Sequence, residues 1–169
     1  PDRASGDKFG QVVVLQNGTL VVAAPFEDHD ASGGNPQTDA GAAYLFQKDH
    51  GSPNAWAFIK KLVAADRAGN DIFGIALAIA GSNVLVGAYA EDEDGTATNT
   101  LNNSGSAYIF GQNTGGTGNW GQVKKLVAPD RGVDDYFGSS VAATSLFFLI
   151  GSPNEDEDVQ GLNPVGNSG

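Results

Sequence analysis

The chain has 169 residues, with 20 Asp or Glu against nine Lys or Arg, no cysteine and a formal net charge of -11. That length suffices for one domain with a real core, and the missing cysteines exclude disulfides, thiolate chemistry and Cys-type zinc sites. Such a charge repels nucleic acid and anionic lipid, which reward surplus Lys and Arg, and no apolar run reaches the roughly 18 residues of a membrane span, so the natural small partners are cations.

In chain order, the first predicted strand follows Phe9-Gly10 and runs over about 10–16. The turn Gln16-Asn17-Gly18 leads into a second strand over 19–24, since Asn-Gly between apolar runs signals a hairpin. Ala23-Ala24-Pro25 and the acidic tetrad Glu27-Asp28-His29-Asp30 then open a loop of about sixteen residues, long to leave without support. A third strand covers 42–48. A fourth covers 57–64 through Lys60-Lys61, a pair suited to an exposed edge that must discourage foreign strands.

The next segment repeats all of this at a period of 64 residues with no insertions. Strands are predicted over 74–80, 84–88, 106–112 and 122–128, then over 138–144 and 146–151. Asp66-Arg67 and Asp130-Arg131 follow Asp2-Arg3; Asp71 and Asp135 follow Asp7; Phe73-Gly74 and Phe137-Gly138 follow Phe9-Gly10. Gly41, Gly105 and Gly169 share a column, as do Tyr44 and Tyr108, and Trp56 and Trp120. The first two strands of each copy are nearly continuously apolar, as expected of strands covered on both faces.

Four short antiparallel strands every 64 residues, the inner ones buried and the outermost charged, define an all-β class and the blade of a β-propeller. Residues 1–65 form blade 1, 66–129 blade 2 and 130–169 a partial blade 3 that holds two strands and the acidic loop. About 2.6 blades are present, whereas closed propellers need about four to eight. The expectation is a piece of a larger propeller. The alternative is a complete small subunit that self-associates into a ring or filament through its open strand edges.

The motifs "DKFG…VVAAP", "DIFG…LVGAY" and "DYFG…LIGSP" (from Asp7, Asp71 and Asp135) resemble FG-GAP repeats, the blades of the integrin α-subunit propeller and of many bacterial surface proteins. The resemblance covers essentially the whole chain. It implies an extracellular or cell-surface module for adhesion or ligand binding, with a protein or glycan as partner and calcium-stabilised loops. The integrin-type calcium pattern, Asp-x-Asp-x-Asp-Gly, lies in the hairpin between the Phe-Gly strand and the Gly-Ala-Pro strand. Here that hairpin is only Gln16-Asn17-Gly18, 80–83 or Thr144-Ser145, too short for a carboxylate cage, so those ligands do not carry over.

The acids lie instead in the longer loop that follows. Three fall in Glu27-Asp28-His29-Asp30 and four each in Glu91-Asp92-Glu93-Asp94 and Glu155-Asp156-Glu157-Asp158. The alternate spacing of Asp28 and Asp30, Asp92 and Asp94, Asp156 and Asp158 points two carboxylates the same way in extended backbone. Asn35, Asn99 and Asn163, five residues after the last acid, add an amide oxygen. Calcium takes six to eight such oxygens, so these nine residues are the candidate metal ligands. A solvated acidic loop, or Asp pairing with Arg3, Arg67 and Arg131, accounts for the same pattern. His29 stands where the other copies carry Glu and reads as an exposed loop residue. No nucleophile, base and orienting group can be assembled, so no enzyme and no catalytic residue is expected.

Overall fold

The computed structural model describes residues 4–96 and 98–156. Among them the chain forms ten strands and no helix. β1 (Val13–Gln16), β2 (Thr19–Ala24), β3 (Ala42–Lys48) and β4 (Trp56–Leu62) make one antiparallel sheet in sequence order. β5 (Ala76–Ala80), β6 (Asn83–Ala88), β7 (Ser106–Gln112) and β8 (Trp120–Leu126) repeat it. β9 (Ser140–Ala143) and β10 (Phe148–Gly151) form the hairpin of a third sheet. The register repeats as well: Val13 faces Val22, Leu77 faces Val86 and Val141 faces Ile150. The all-β, blade-type class expected from the repeat is the observed one.

The outer strands end two residues early, at Leu62 and Leu126, and β10 starts two residues late, at Phe148; the starts of the opening and outer strands also differ from expectation, each for a local reason. The opening strands start two or three residues late, because Gly10, Gly74 and Gly138 hold φ of 96°, 99° and 93° and so turn the chain instead of extending it. The outer strands start early, at Trp56 and Trp120. Their hairpins close where Asp49 N–H donates to Ala55 O (2.8 Å) and Asn113 N–H to Asn119 O (2.6 Å), one residue before each Trp.

Alternation along the strands divides each sheet into two apolar faces. Val21, Ala23, Ala43 and Leu45 of the first sheet share a core with Phe73, Leu77, Ile79, Val84, Val86, Tyr108 and Trp120 of the second. Ala78, Leu85 and Ala107, on the other side of the second sheet, pack against Phe137, Val141, Ala143, Phe148 and Ile150 of the third. The sheets therefore stack face to face, and Phe73 and Phe137 each lie in or beside the seam with the preceding sheet.

Backbone closes each seam. Phe73 N–H donates to Ala40 O and Phe137 N–H to Ser104 O, both at 3.1 Å, beside parallel bridges from Gly41 to Phe73 and from Gly105 to Phe137. The contact leaves no room for a side chain. A Cβ on Gly41 would lie 2.1 Å from Phe73 O, and one on Gly105 2.0 Å from Phe137 O, with φ of +87° and +83° at the two glycines. Ile72 and Tyr136, just before each Phe, hold φ of 58° and 59°. For a β-branched residue such as Ile72 that conformation is strained and persists only where the surroundings over-determine it.

Gly41→Ala is therefore expected to destabilise the chain by at least about 2 kcal/mol in urea unfolding, since both the positive φ and the backbone clash oppose it. Gly95→Ala, in open space on an acidic loop, should stay within about 0.5 kcal/mol of the parent.

Candidate functional site

The segments between β2 and β3 and between β6 and β7 leave and return at equivalent strands, so they lie at the same end of successive sheets. Gly41 N–H donates to Glu27 O (2.9 Å) and Gly105 N–H to Glu91 O (2.8 Å), closing the base of each loop. The following sheet grips the loop from outside. Arg67 donates to the carbonyls of Asn35 (2.7 Å) and Asp28 (2.5 Å), and Arg131 to those of Asn99 (3.3 Å) and Asp92 (2.6 Å). Arg67 and Arg131 thus hold the acidic loops by backbone oxygens.

Within the loops, Asp30 Oδ1 accepts from Ser32 N–H (2.8 Å), Ser32 Oγ (2.6 Å) and Gly34 N–H (2.9 Å), while Asn35 Nδ2 donates to Oδ2 (2.5 Å). Asp94 does the same with Thr96, Thr98 and Asn99. The hydroxyls of Ser32 and Thr96, then the Asn amides and backbone N–H groups, hold both carboxyls well below the usual carboxylate range. Asp28 Oδ1 caps Asp39 N–H (2.9 Å) and Asp92 Oδ1 caps Asn103 N–H (2.7 Å). Four of the candidate ligands, Asp30 with Asn35 and Asp94 with Asn99, are therefore hydrogen-bonded to each other as loop staples. Asp28 and Asp92 cap a different stretch of backbone. Asp156 is half-buried beyond β10, and Asp158 and Asn163 lie outside the described residues.

The first acid of each tetrad behaves differently. Glu27 and Glu91 are buried under the loops. Lys61 Nζ stands 3.2 Å from Glu27 Oε1, and the Tyr44 hydroxyl donates to Glu27 Oε2 at 2.9 Å. Lys125 Nζ stands 3.1 Å from Glu91 Oε1 and 2.8 Å from Asp66 Oδ2, and the Tyr108 hydroxyl lies 2.5 Å from Glu91 Oε2. This corrects the reading of the lysine pairs as exposed edge guards. Neighbouring strand residues point to opposite faces, so one lysine of each pair turns inward to a buried carboxylate. Its neighbour does otherwise: Lys60 Nζ donates to Asn119 Oδ1 (2.8 Å), across the seam, and Lys124 is exposed.

Around Glu91 the charges do not balance. Asp71 and Glu93 each bring a carboxylate oxygen to within 4.8 Å of one on Glu91, and Asp66 shares Lys125. Glu93 Oε2 is buried with no hydrogen-bond partner. Burial pushes Asp71 up to about 7. Burial first, and then the neighbouring Glu93 and Asp71, push Glu91 up to about 8. Glu27, in the same column, is also pushed up by burial, but the His29 N–H, the Tyr44 hydroxyl and Lys61 outweigh this and leave it below the ordinary value. Burial is the first cause of the difference, and the occupant of a neighbouring column adds to it. His29, half-exposed with Nδ1 3.2 Å from Glu27 Oε1, stands where the second copy has Glu93.

Three acids are thus concentrated at one point, two from the acidic run (Glu91, Glu93) and one, Asp71, from the separate column before Phe73-Gly74. Their shared 64-residue columns, each next to a buried strand end, are the signal from which the grouping could have been found. Such a set can hold a divalent cation or share protons.

The family model for the FG-GAP repeat matches residues 1–46, 56–110 and 120–167. No curated protein matches the chain.

The raised values fix the sign of a pH effect. Asp71 and Glu91 bind their protons more tightly folded than unfolded. Their contribution to stability is therefore fully present below the ordinary carboxylate range and is lost as pH rises through about 7 to 8. In chelator, the melting temperature should fall between about pH 5.5 and 8.5, with a slope of about 1.4 kcal/mol per pH unit for each proton held only in the folded state. Glu93→Gln removes a charge beside Glu91 and should flatten that slope in a thermal melt series.

Proposed function

Because the chain belongs to the FG-GAP repeat family, we propose that it is a segment of an extracellular propeller that acts, without catalysis, as a calcium-stabilised adhesion or ligand-binding module. The carrying observation is the triad Asp71, Glu91 and Glu93, whose excess negative charge and unpartnered buried oxygen fit a hard cation. Bound calcium would offset the repulsion among the three carboxylates with which Lys125 alone is left. The stem of the second loop, which these residues form, would become rigid with it.

The ligand surface in this reading is the row of loops above the triad. Their polar tips, 31–35 and 95–99, are exposed apart from the half-buried Gly34 and the undescribed position 97, while their bases are tied to the next sheet through Arg67 and Arg131. Binding residues are commonly found on loops held by a rigid scaffold. A protein or glycan meeting this row would face an acidic, hydroxyl- and amide-rich rim suited to hydrogen-bond donors and cations. Among the described residues no helix is long and apolar enough to cross a membrane.

Isothermal titration of calcium chloride into chelator-treated protein tests the reading. The expected result is saturable binding, with a rise in melting temperature equivalent to about 2.7 kcal/mol at a hundredfold excess over Kd. Asp71→Asn and Glu93→Gln should each weaken binding by about tenfold or more. Absence of binding in the folded parent protein, or binding that both substitutions leave unchanged, would remove calcium from the reading. Adhesion is tested separately, by parent-protein binding to immobilised matrix proteins and glycans with and without calcium.

A further inference from the structure

An open recess of about 500 Å³ lies between the first acidic loop and the chain that follows β4. That volume falls within the range of small-molecule sites. The loop contributes Asp30, Ser32, Asn35 and Gln37 to its lining. The chain after β4 contributes Val63 and Ala65, and the linker beyond contributes Arg67.

The charges in this lining are opposite and fixed. Asp30 accepts hydrogen bonds from Ser32, Gly34 and Asn35, which hold it in place and ionised. Arg67 is pinned to the carbonyls of Asn35 and Asp28. An anionic ligand would be repelled by Asp30 and a cationic one by Arg67. A neutral molecule avoids both costs.

The ligand must also match the polar groups on offer. The oxygens of Asp30 and Ser32 accept, the Arg67 guanidinium donates, and the amides of Asn35 and Gln37 can do both. Val63 and Ala65 add a short apolar strip. Closely spaced hydroxyls that both donate and accept, on a small body with an apolar C–H face, describe a sugar ring. We propose that this recess binds one neutral sugar residue of a glycan, a hexose or N-acetylhexosamine, with ring hydroxyls on Asp30, Asn35, Gln37 and Arg67 and a C–H face on Val63 and Ala65.

The second copy provides an internal comparison. One period later, Asp94, Asn99, Val127 and Arg131 preserve their columns, but Leu101 replaces Gln37 and Pro129 replaces Ala65. The side-chain amide at position 37 is therefore particular to the first loop, where it is exposed. The inference deepens the glycan-binding part of the proposed function and rests on the loops as its ligand surface, but it does not require a cation at Asp71, Glu91 and Glu93.

Amide NMR spectra of the 169-residue chain, titrated with methyl α-mannoside, methyl β-galactoside and N-acetylglucosamine, test it, first in chelator and then with calcium chloride. At least one of these sugars should shift the amides of residues 30–37 and 63–67 saturably, with the millimolar affinity of a small ligand in an open site. Galacturonic and glucuronic acids, both anionic, should bind about tenfold more weakly than the best neutral sugar. Gln37→Leu, which installs the residue of the second copy at an exposed position, should weaken binding by about tenfold and leave the rest of the spectrum unchanged. The proposal is overturned by no saturable shift with any of the three neutral sugars, by shifts confined to other regions, by uronic acids that bind equally well, or by unchanged binding in Gln37→Leu. Loss of sugar binding alone leaves the calcium reading standing. Sugar binding by protein that takes up no calcium supports this inference and removes only the calcium.

Discussion

The contact between Gly41 and the carbonyl of Phe73, repeated by Gly105 and Phe137, sets the distance at which two blades meet. Everything else in the seam is fitted to that distance. Tyr108 and Phe110 pack edge-to-face on Phe73, at centroid separations of 5.4 and 5.8 Å. Trp120 is buried at the start of its outer strand, and left-handed turns at Ile72 and Tyr136 deliver each Phe-Gly to its place. The strain at Ile72 is tolerable because hydrogen bonds on both sides, Asn70 N–H to Thr38 O (2.7 Å) and Phe73 N–H to Ala40 O (3.1 Å), hold the backbone against relaxation.

The same seam organises the acidic loops. The stretch 38–41 that bonds to the incoming linker is the last part of the first loop, and Arg67, from the linker itself, reaches back to Asp28 and Asn35. Loop shape and blade stacking are therefore one problem with one solution. A charged segment that would repel itself in isolation is instead used up in specific bonds: Asp30 and Asp94 as staples, Asp28 and Asp92 as caps, Glu27 and Glu91 as buried partners of lysine and tyrosine. Burial of such a pair is not by itself stabilising, since desolvation opposes the attraction. Its effect is to give the loop base one position.

The first two copies use the same columns to different electrostatic ends. With His29 as third neighbour and Lys61 at hand, Glu27 is stabilised as an anion. With Glu93 in that place, and Asp66 competing for Lys125, Glu91 is driven toward the protonated form. Burial first, and then the acid in this column, leave the second pocket with charge to spare, which is why the candidate cation site is assigned to the second copy.

How much of this was legible beforehand can be read from particular residues. The 64-residue period, the four-stranded unit, the hairpin at Asn17-Gly18 and the bounds of β2, β3 and β7 follow from the sequence, because apolar runs and turn residues act over a few neighbours. The pairing of Asp30 with Asn35, five residues apart, was foreseen as proximity, though the amide donates to the carboxylate where an oxygen ligand was expected. Burial of Glu91 and Lys125, and the meeting of Asp71 with Glu93, were not foreseen. Those residues lie up to 54 positions apart, and their approach depends on how β6, β8 and the linker before β5 converge beneath one loop. The sequence by itself determined the repeat and its strands. Only tertiary structure decided which charges left water, because burial depends on the stacking of whole sheets and not on any local pattern.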